Sequence, residues 1–338
     1  YHEHSRPMKA LVIALLLLSL APILPAQEEG DKAKVERLEK RMRLADELEA
    51  QGDVDGAVQI LGEIFDANPE DPDLLERIVV MLMRSERFSE AVPRLRELLK
   101  LKGGSEAEHL ALARMMIEVK ENETAVGFIK EASGSFPDSA DFPFLLTFAL
   151  GQLERWDEAV AEFEKTIALA REAKPELLNE GFYFRYAAAH ERMKNFDEAE
   201  KLFRKTLDLI ESNDREEENP EFKATALNYL AYMWIERGEK LDEAGPLAKE
   251  AAKLSPDSGA IADTLGWYHF QKGEYPRALV SLKKAESLIE EPDAVIYDHL
   301  GQTLAKLNEK DFAAEYFRKA LELEPKNEDL KARLDEVE

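Results

Sequence analysis

Asp263, Asp298 and His299 are the residues whose types come nearest to a catalytic set: two carboxylates and an imidazole can divide acid, base and nucleophile roles in a hydrolysis. A second candidate is the run Asp53, Asp55, Gly56, which imitates the middle of a calcium loop of the EF-hand type. Such a loop needs an anionic first ligand and a bidentate Glu at its end, and the chain has Gln51 and Gly62 there. Asp and Gly are also what a tight turn between helices requires, so we expect a turn and no metal. His2 and His4 receive no metal role. The chain has no G-x-S-x-G elbow, no G-x-x-x-x-G-K phosphate loop, no H-E-x-x-H pair and no G-x-G-x-x-G, and we expect no cofactor.

With no cysteine there is no disulfide framework, thiolate site or cysteine nucleophile. Seventy acidic against 45 basic residues leave a net charge of −25, a field that repels nucleic acid phosphates and anionic lipid surfaces. Many carboxylates come in pairs, such as Asp197-Glu198 and Asp242-Glu243, where a helix would begin and its dipole favours negative charge.

The elements that must carry these residues repeat. In ADTLGWYHFQKGEYPRALVSLKKAESL, residues 262–288, small and apolar residues recur at helical spacing with one break at Gly273. Two short amphipathic helices meeting at a tight turn account for the pattern. The alanine three residues after Tyr275 returns as Ala57, Ala91, Ala125, Ala159, Ala199, Ala244, Ala278 and Ala313, in steps of 34, 34, 34, 40, 45, 34 and 35. A period near 34 is specific to one class of helical repeat.

The units resemble tetratricopeptide repeats, which place a small residue in mid helix A, an aromatic after the turn, Ala in helix B and Pro at its end. The helix A residues are Ala45, Val79, Ala113, Thr147, Ala187, Ala231, Gly266 and Gly301, with Val79 and Thr147 departing from the pattern. Phe88, Trp156, Phe196 and Tyr275 match the aromatics, and Pro69, Pro137, Pro256 and Pro325 the terminal prolines. The resemblance implies an all-α, right-handed superhelical solenoid of about eight helix-turn-helix repeats, which grows in one dimension and has no single central core.

The expected organisation is as follows. Residues 8–26, one Lys, an apolar run and then Pro and a small residue, have the layout of an export signal, with cleavage after Ala26. Pro22 and Pro25 interrupt the run, which is shorter than the roughly 20 apolar residues of a membrane span. We expect no stable span after cleavage, and read the residues before Met8 as an over-extended frame. A polar leader, 27–34, precedes units 1–4 at 35–170. A break at 171–179 contains Pro175, and unit 5 covers 180–210. An acidic connection occupies 211–223, units 6–8 cover 224–326, and 327–338 form a capping helix. The extra residue between Gly238 and Ala244 is assigned to a turn. Met81, Met83, Met115 and Met116 are expected as core filler rather than a peptide-gripping surface, and His109 as packed.

In the resembled family, helix A lines a concave groove. Its fifth and ninth positions fall at Phe144 and Phe148, Phe184 and Ala188, Asn228 and Tyr232, Asp263 and Trp267, and Asp298 and Gln302. The resemblance thus implies a groove aromatic in its middle and acidic and aromatic toward its C-terminal third. It suits a protein or peptide carrying Lys or Arg among apolar residues. Members that clamp a terminal carboxylate use Lys and Asn at these positions; no unit here has that pair. The expectation is a non-catalytic interaction scaffold, exported to the bacterial periplasm or exterior, in an envelope assembly, secretion or surface-polymer system. The competing readings are an adaptor or self-associating protein using its convex face, and a hydrolase with Asp263, Asp298 and His299 across the groove.

Overall fold

The computed structural model describes residues 25–212 and 219–338, with side chains from residue 33 on. Among the described residues every regular element is helical. A first unit holds α1 (Pro25–Gln51), α2 (Val54–Ala67), α3 (Pro72–Arg84), α4 (Phe88–Lys102) and α5 (Glu106–Glu118). The second unit begins at Ala125, inside α6 (Asn122–Ser135). It continues with α7 (Asp141–Gln152), α8 (Trp156–Ala173), α9 (Glu180–Arg192), α10 (Phe196–Ser212), α11 (Pro220–Glu236) and α12 (Leu241–Leu254). It ends with α13 (Gly259–Gln271), α14 (Tyr275–Leu288), α15 (Ala294–Lys306), α16 (Lys310–Leu323) and α17 (Glu328–Val337). The odd-numbered helices are the first members of the sequence repeats and the even-numbered ones the second. The apolar stretch read as an export signal lies, up to residue 24, outside the described residues. Helix α1 already includes residues 27–34.

Each turn between first and second helix is built the same way. The N–H five residues on returns to the carbonyl near the helix end: Asp53 to Leu48, Arg87 to Leu82, Glu121 to Met116, Arg155 to Leu150, Asn195 to His190, Glu239 to Trp234, Glu274 to His269 and Glu309 to Leu304, at 2.8–3.0 Å. This is a Schellman closure, and it needs one left-handed residue. Those residues are Gly52, Glu86, Lys120, Glu154, Lys194, Gly238, Gly273 and Asn308. The longer turn before α12 takes up its extra residue with a second left-handed position, Lys240. Most first helices, though not α7 with Ala140 at its start, begin on side-chain caps. Asp71, Ser105, Asn179, Asn219, Ser258, Asp293 and Asn327 accept from backbone N–H groups of the following turn. Asp53 caps α2 by accepting from Gly56 N–H at 3.0 Å, so the calcium-like run is a helix start.

All eight repeat alanines of the second helices are at most 1% exposed, so a larger side chain there would have to displace packed neighbours. The same holds at Gly266 and Gly301 of the first helices: a Cβ on either would lie 2.6 Å from Leu282 or 2.5 Å from Phe317. In the first unit Leu61, Phe65, Leu75, Ile78, Met81 and Leu82 form a continuous apolar core. Met116 is buried as well, while Met83 and Met115 are half-buried. From α7 on each helix packs on its successor, and α11, α13, α15 and α17 also touch one another in sequence. First helices therefore line up side by side, and that row positions the candidate site. Helix α8 runs on to Ala173, where Lys174 donates to both oxygens of Asp141 at 2.8 Å before Pro175 opens a short 3-10 turn. Of the acidic connection, residues 213–218 lie outside the described residues; α10 reaches Ser212 and α11 starts at Pro220 on an Asn219 cap.

Candidate partner-binding site

The nine residues assigned to a groove all lie on the first helices of the second unit, and the structure sorts them by the company they keep. Phe144 and Phe148 meet edge to face at 5.1 Å, and the Arg185 guanidinium of the next first helix stands 4.5 Å over the Phe148 ring. Burial depresses the Arg185 pKa. Phe184 packs edge-on against Tyr229 of the next first helix at 5.0 Å, and against Phe222 and Phe203.

Toward the C-terminal end, Asp263 takes a 2.8 Å hydrogen bond to His299 Nδ1, and both side chains are buried. The imidazole stacks on Trp267 at 4.0 Å, and Trp267 on Phe270 at 4.3 Å. Burial by itself would lower the His299 pKa, but the Asp263 carboxylate outweighs it and the net shift is upward. Asp298 accepts from Arg333 of α17 at 2.7 Å and from Gln302 at 2.9 Å, and burial holds its pKa above the ordinary carboxylate value despite those partners. Asp263, Trp267 and Asp298 are thus committed within the protein, where the sequence reading has them facing a partner. The physical reason is desolvation: a carboxylate between packed helices is tolerated only with a paired donor. The same commitments count against a hydrolytic site, since the imidazole is sealed under Trp267 and the second carboxylate is neutralised by Arg333.

A pattern runs through these contacts. The residue two places before the mid-helix small residue reaches back to the preceding first helix: Arg185 to Phe148, Tyr229 to Phe184, and His299 to Asp263 and Trp267; on the capping helix, Arg333 holds the matching place, two before Asp335, and reaches Asp298. On α13 that residue is Thr264, whose hydroxyl donates instead to Ala260 O of its own helix at 3.0 Å. There the row opens into a cavity of about 420 Å³, lined from four successive first helices, among them by Glu191 and Arg192, Asn228, Tyr229 and Tyr232, Asp263 and Thr264, and Val295 and Ile296, with Ile289 and Asp293 between the last two helices. Asn228 Oδ1 is buried and unpaired. Tyr232 has its phenol pKa pushed upward, by burial first and then by Glu236. Tyr229 and Val295 are large apolar residues left exposed at 37% and 45%. Of the nine residues, the structure brings Asn228, Tyr232 and Asp263 onto this one cavity. Sequence register misses Tyr229, Thr264 and Val295; an exposed aromatic beside an asparagine on a first helix is the signal that points to the first.

Comparison with known proteins agrees with the geometry. Family models described as Tetratricopeptide repeat match residues 48–114, 181–213 and 294–327. The TPR repeat-containing protein PA4667 of Pseudomonas aeruginosa is 38% identical over 79 residues, which are 23% of this chain and 13% of that protein. Among solved structures, a chain of the APC/C hetero-tetramer Cut9-Hcn1 superposes with a TM-score of 0.54 at 15% identity, over 84% of this chain and 52% of that one. The assembly chaperone of RpL4, Acl4, gives 0.53 at 14% identity over 69% and 95%. PilF of Pseudomonas aeruginosa gives 0.52 at 16% over 68% and 95%. At such identities these structures share the fold alone, and the chain spans only a small part of PA4667 and about half of the Cut9-Hcn1 chain. The family is typically non-catalytic. Matched models over three stretches of the chain, together with eight helical hairpins closed in the same way, make this chain a tetratricopeptide repeat protein, of a family whose members serve as scaffolds for protein–protein interaction.

Proposed function

We propose that the scaffold grips a partner segment on the row of first helices in the second unit, with the cavity between α11 and α13 at its centre. The observation that carries this is the coincidence there of exposed apolar surface, Tyr229 and Val295, with the unpaired Asn228 Oδ1 and an acidic lining in which Glu191 is not committed to another helix, whereas Asp263 is bonded to His299 and Asp293 caps α15. A segment with basic residues among apolar ones complements that lining; nucleic acid does not, given the net charge of −25. The layout of residues 8–26 supports placing this binding in the bacterial envelope or exterior, in an assembly, secretion or surface-polymer system.

Photo-crosslinking from position 295, with the full chain expressed in its source cell, tests both halves. A captured protein that is lost in Tyr229→Ala and Glu191→Lys variants, recovered from the envelope or medium fraction, is the expected result. Capture unaffected by those substitutions refutes the groove. A cytoplasmic chain with residues 8–26 retained refutes the placement.

A further inference from the structure

The row of first helices carries its own template for a ligand. At three joints the residue reaching back is a cation or a nitrogen donor: Arg185 over Phe148, His299 on Asp263 and Trp267, Arg333 on Asp298. A fourth is closed by the aromatic contact of Tyr229 with Phe184. At the joint between α11 and α13 the equivalent residue is Thr264, too short to cross, and its hydroxyl is spent on Ala260 O. What lies beneath is an amide oxygen, Asn228 Oδ1, buried and without a donor, beside the Tyr232 ring. A buried acceptor without a donor costs on the order of 1–3 kcal/mol, so the site rewards any ligand that supplies one.

We propose that this joint is an arginine socket, completed by a single arginine side chain of the partner segment that takes the position Arg185 and Arg333 hold elsewhere in the row. The reading rests on the groove proposed above and goes further by naming the recognised side chain. The socket chemistry favours arginine. Its planar fork can donate to Asn228 Oδ1 and to a carboxylate at once, and its guanidinium stacks on an aromatic face as Arg185 does on Phe148. Its methylene stem fits between Tyr229, Val295 and Ile296. Glu191, Asp263 and Asp293 make the lining acidic; Asp263 is bonded to His299 and Asp293 caps α15, so Glu191, 3.7 Å from the one lining cation Arg192, is the carboxylate left to meet a guanidinium. A volume of about 420 Å³ falls within the roughly 300–1,000 Å³ of sites that hold small ligand groups.

Short random peptides displayed on phage and selected on the full chain provide the test, with Thr264→Arg and Asn228→Asp as variants. Wild type should enrich peptides with one arginine among apolar residues, and replacing that arginine by citrulline should weaken binding about tenfold or more, the worth of one charge-assisted hydrogen bond. Thr264→Arg fills the joint from within, and the folded variant should lose these peptides. Asn228→Asp strengthens the acceptor and should tighten them about tenfold; it decides the matter if Thr264→Arg fails to fold. Equal binding of arginine and citrulline peptides overturns the socket, as does a folded Thr264→Arg protein that binds like wild type, or an Asn228→Asp protein with unchanged affinity. If peptides are selected without arginine yet depend on Tyr229 and Val295, the socket falls while the groove stands. If nothing selected depends on Tyr229 or Val295, both fall.

Discussion

Gly301→Ala and Gly127→Ala are the same chemical change in helices of the same unit, and the structure gives them opposite signs. An alanine in a helix interior gains about 1 kcal/mol over glycine, through the lower entropy of the unfolded chain. Gly127, in α6, faces open space, with nothing within 4 Å of where an alanine methyl would stand, so the gain should appear in full. Gly301, in α15, would place the methyl 2.5 and 2.6 Å from two ring carbons of Phe317 and 3.0 Å from a third. Ordinary contact begins near 3.4 Å, so a fully buried ring must move by almost an ångström, an overpacking that costs about 1–3 kcal/mol. Because propensity is common to both variants, the difference between them isolates the steric cost: about 1–3 kcal/mol, with Gly127→Ala the more stable. Native-state hydrogen exchange suits the measurement, since a repeat array opens locally and one global midpoint would blur the two sites. Amides of α15 and α16 should lose protection in Gly301→Ala, amides of α6 should gain it in Gly127→Ala, and adding Phe317→Leu to Gly301→Ala should recover part of the loss. Equal stabilisation by both alanines would refute the reasoning, and with it the account of why the repeats keep small residues where their helices cross.

The left-handed turn residues offer an independent check: Glu154→Gly and Lys194→Gly should each raise stability by up to about 1 kcal/mol, read as a higher urea midpoint, because glycine removes the strain of positive φ at the Schellman closure. The two buried histidines of the second unit should respond to pH in opposite senses. His299, raised by Asp263, contributes stability that is complete below its ordinary value of 6.5 and is lost as pH rises through the higher folded value. Protection of α13 and α15 should therefore fall on the alkaline side, and Asp263→Asn should remove that dependence. His190, lowered by burial, binds its proton more readily when unfolded. Its contribution is complete above its ordinary value of 6.5 and lost as pH falls, so α9 and α10 should weaken on the acid side. Arg333→Ala leaves Asp298, already raised by burial, without its cation. We expect a loss of about 1–3 kcal/mol in α15 and α17 by hydrogen exchange, partly recovered by Asp298→Asn.

Much of the repeat architecture was legible in the linear pattern. The eight alanines, the glycines at the turns and the small residues of the first helices are each required by local geometry or by close packing with a neighbouring helix. Such near-neighbour demands leave a periodic trace. Even the longer α8 and the extra turn residue at Lys240 show as slips in the period. The candidate site was legible only in part. Register transfer put Asn228, Tyr232 and Asp263 on one row, and they do share a cavity. It also nominated Trp267 and Asp298, which the structure spends on His299 and Arg333.

What the sequence alone determined, then, is the repeat: residues within about 34 positions satisfy one another, and their types must recur with that step. Which groups remain free for a partner was decided by tertiary structure. A side chain's availability depends on whether the next first helix offers a residue long enough to cover it, and the reach of one residue across a helix–helix joint is not periodic. Arg185, His299 and Arg333 cross their joints and close them, whereas Thr264 does not, and a difference of side-chain length at one position separates packed interior from binding surface.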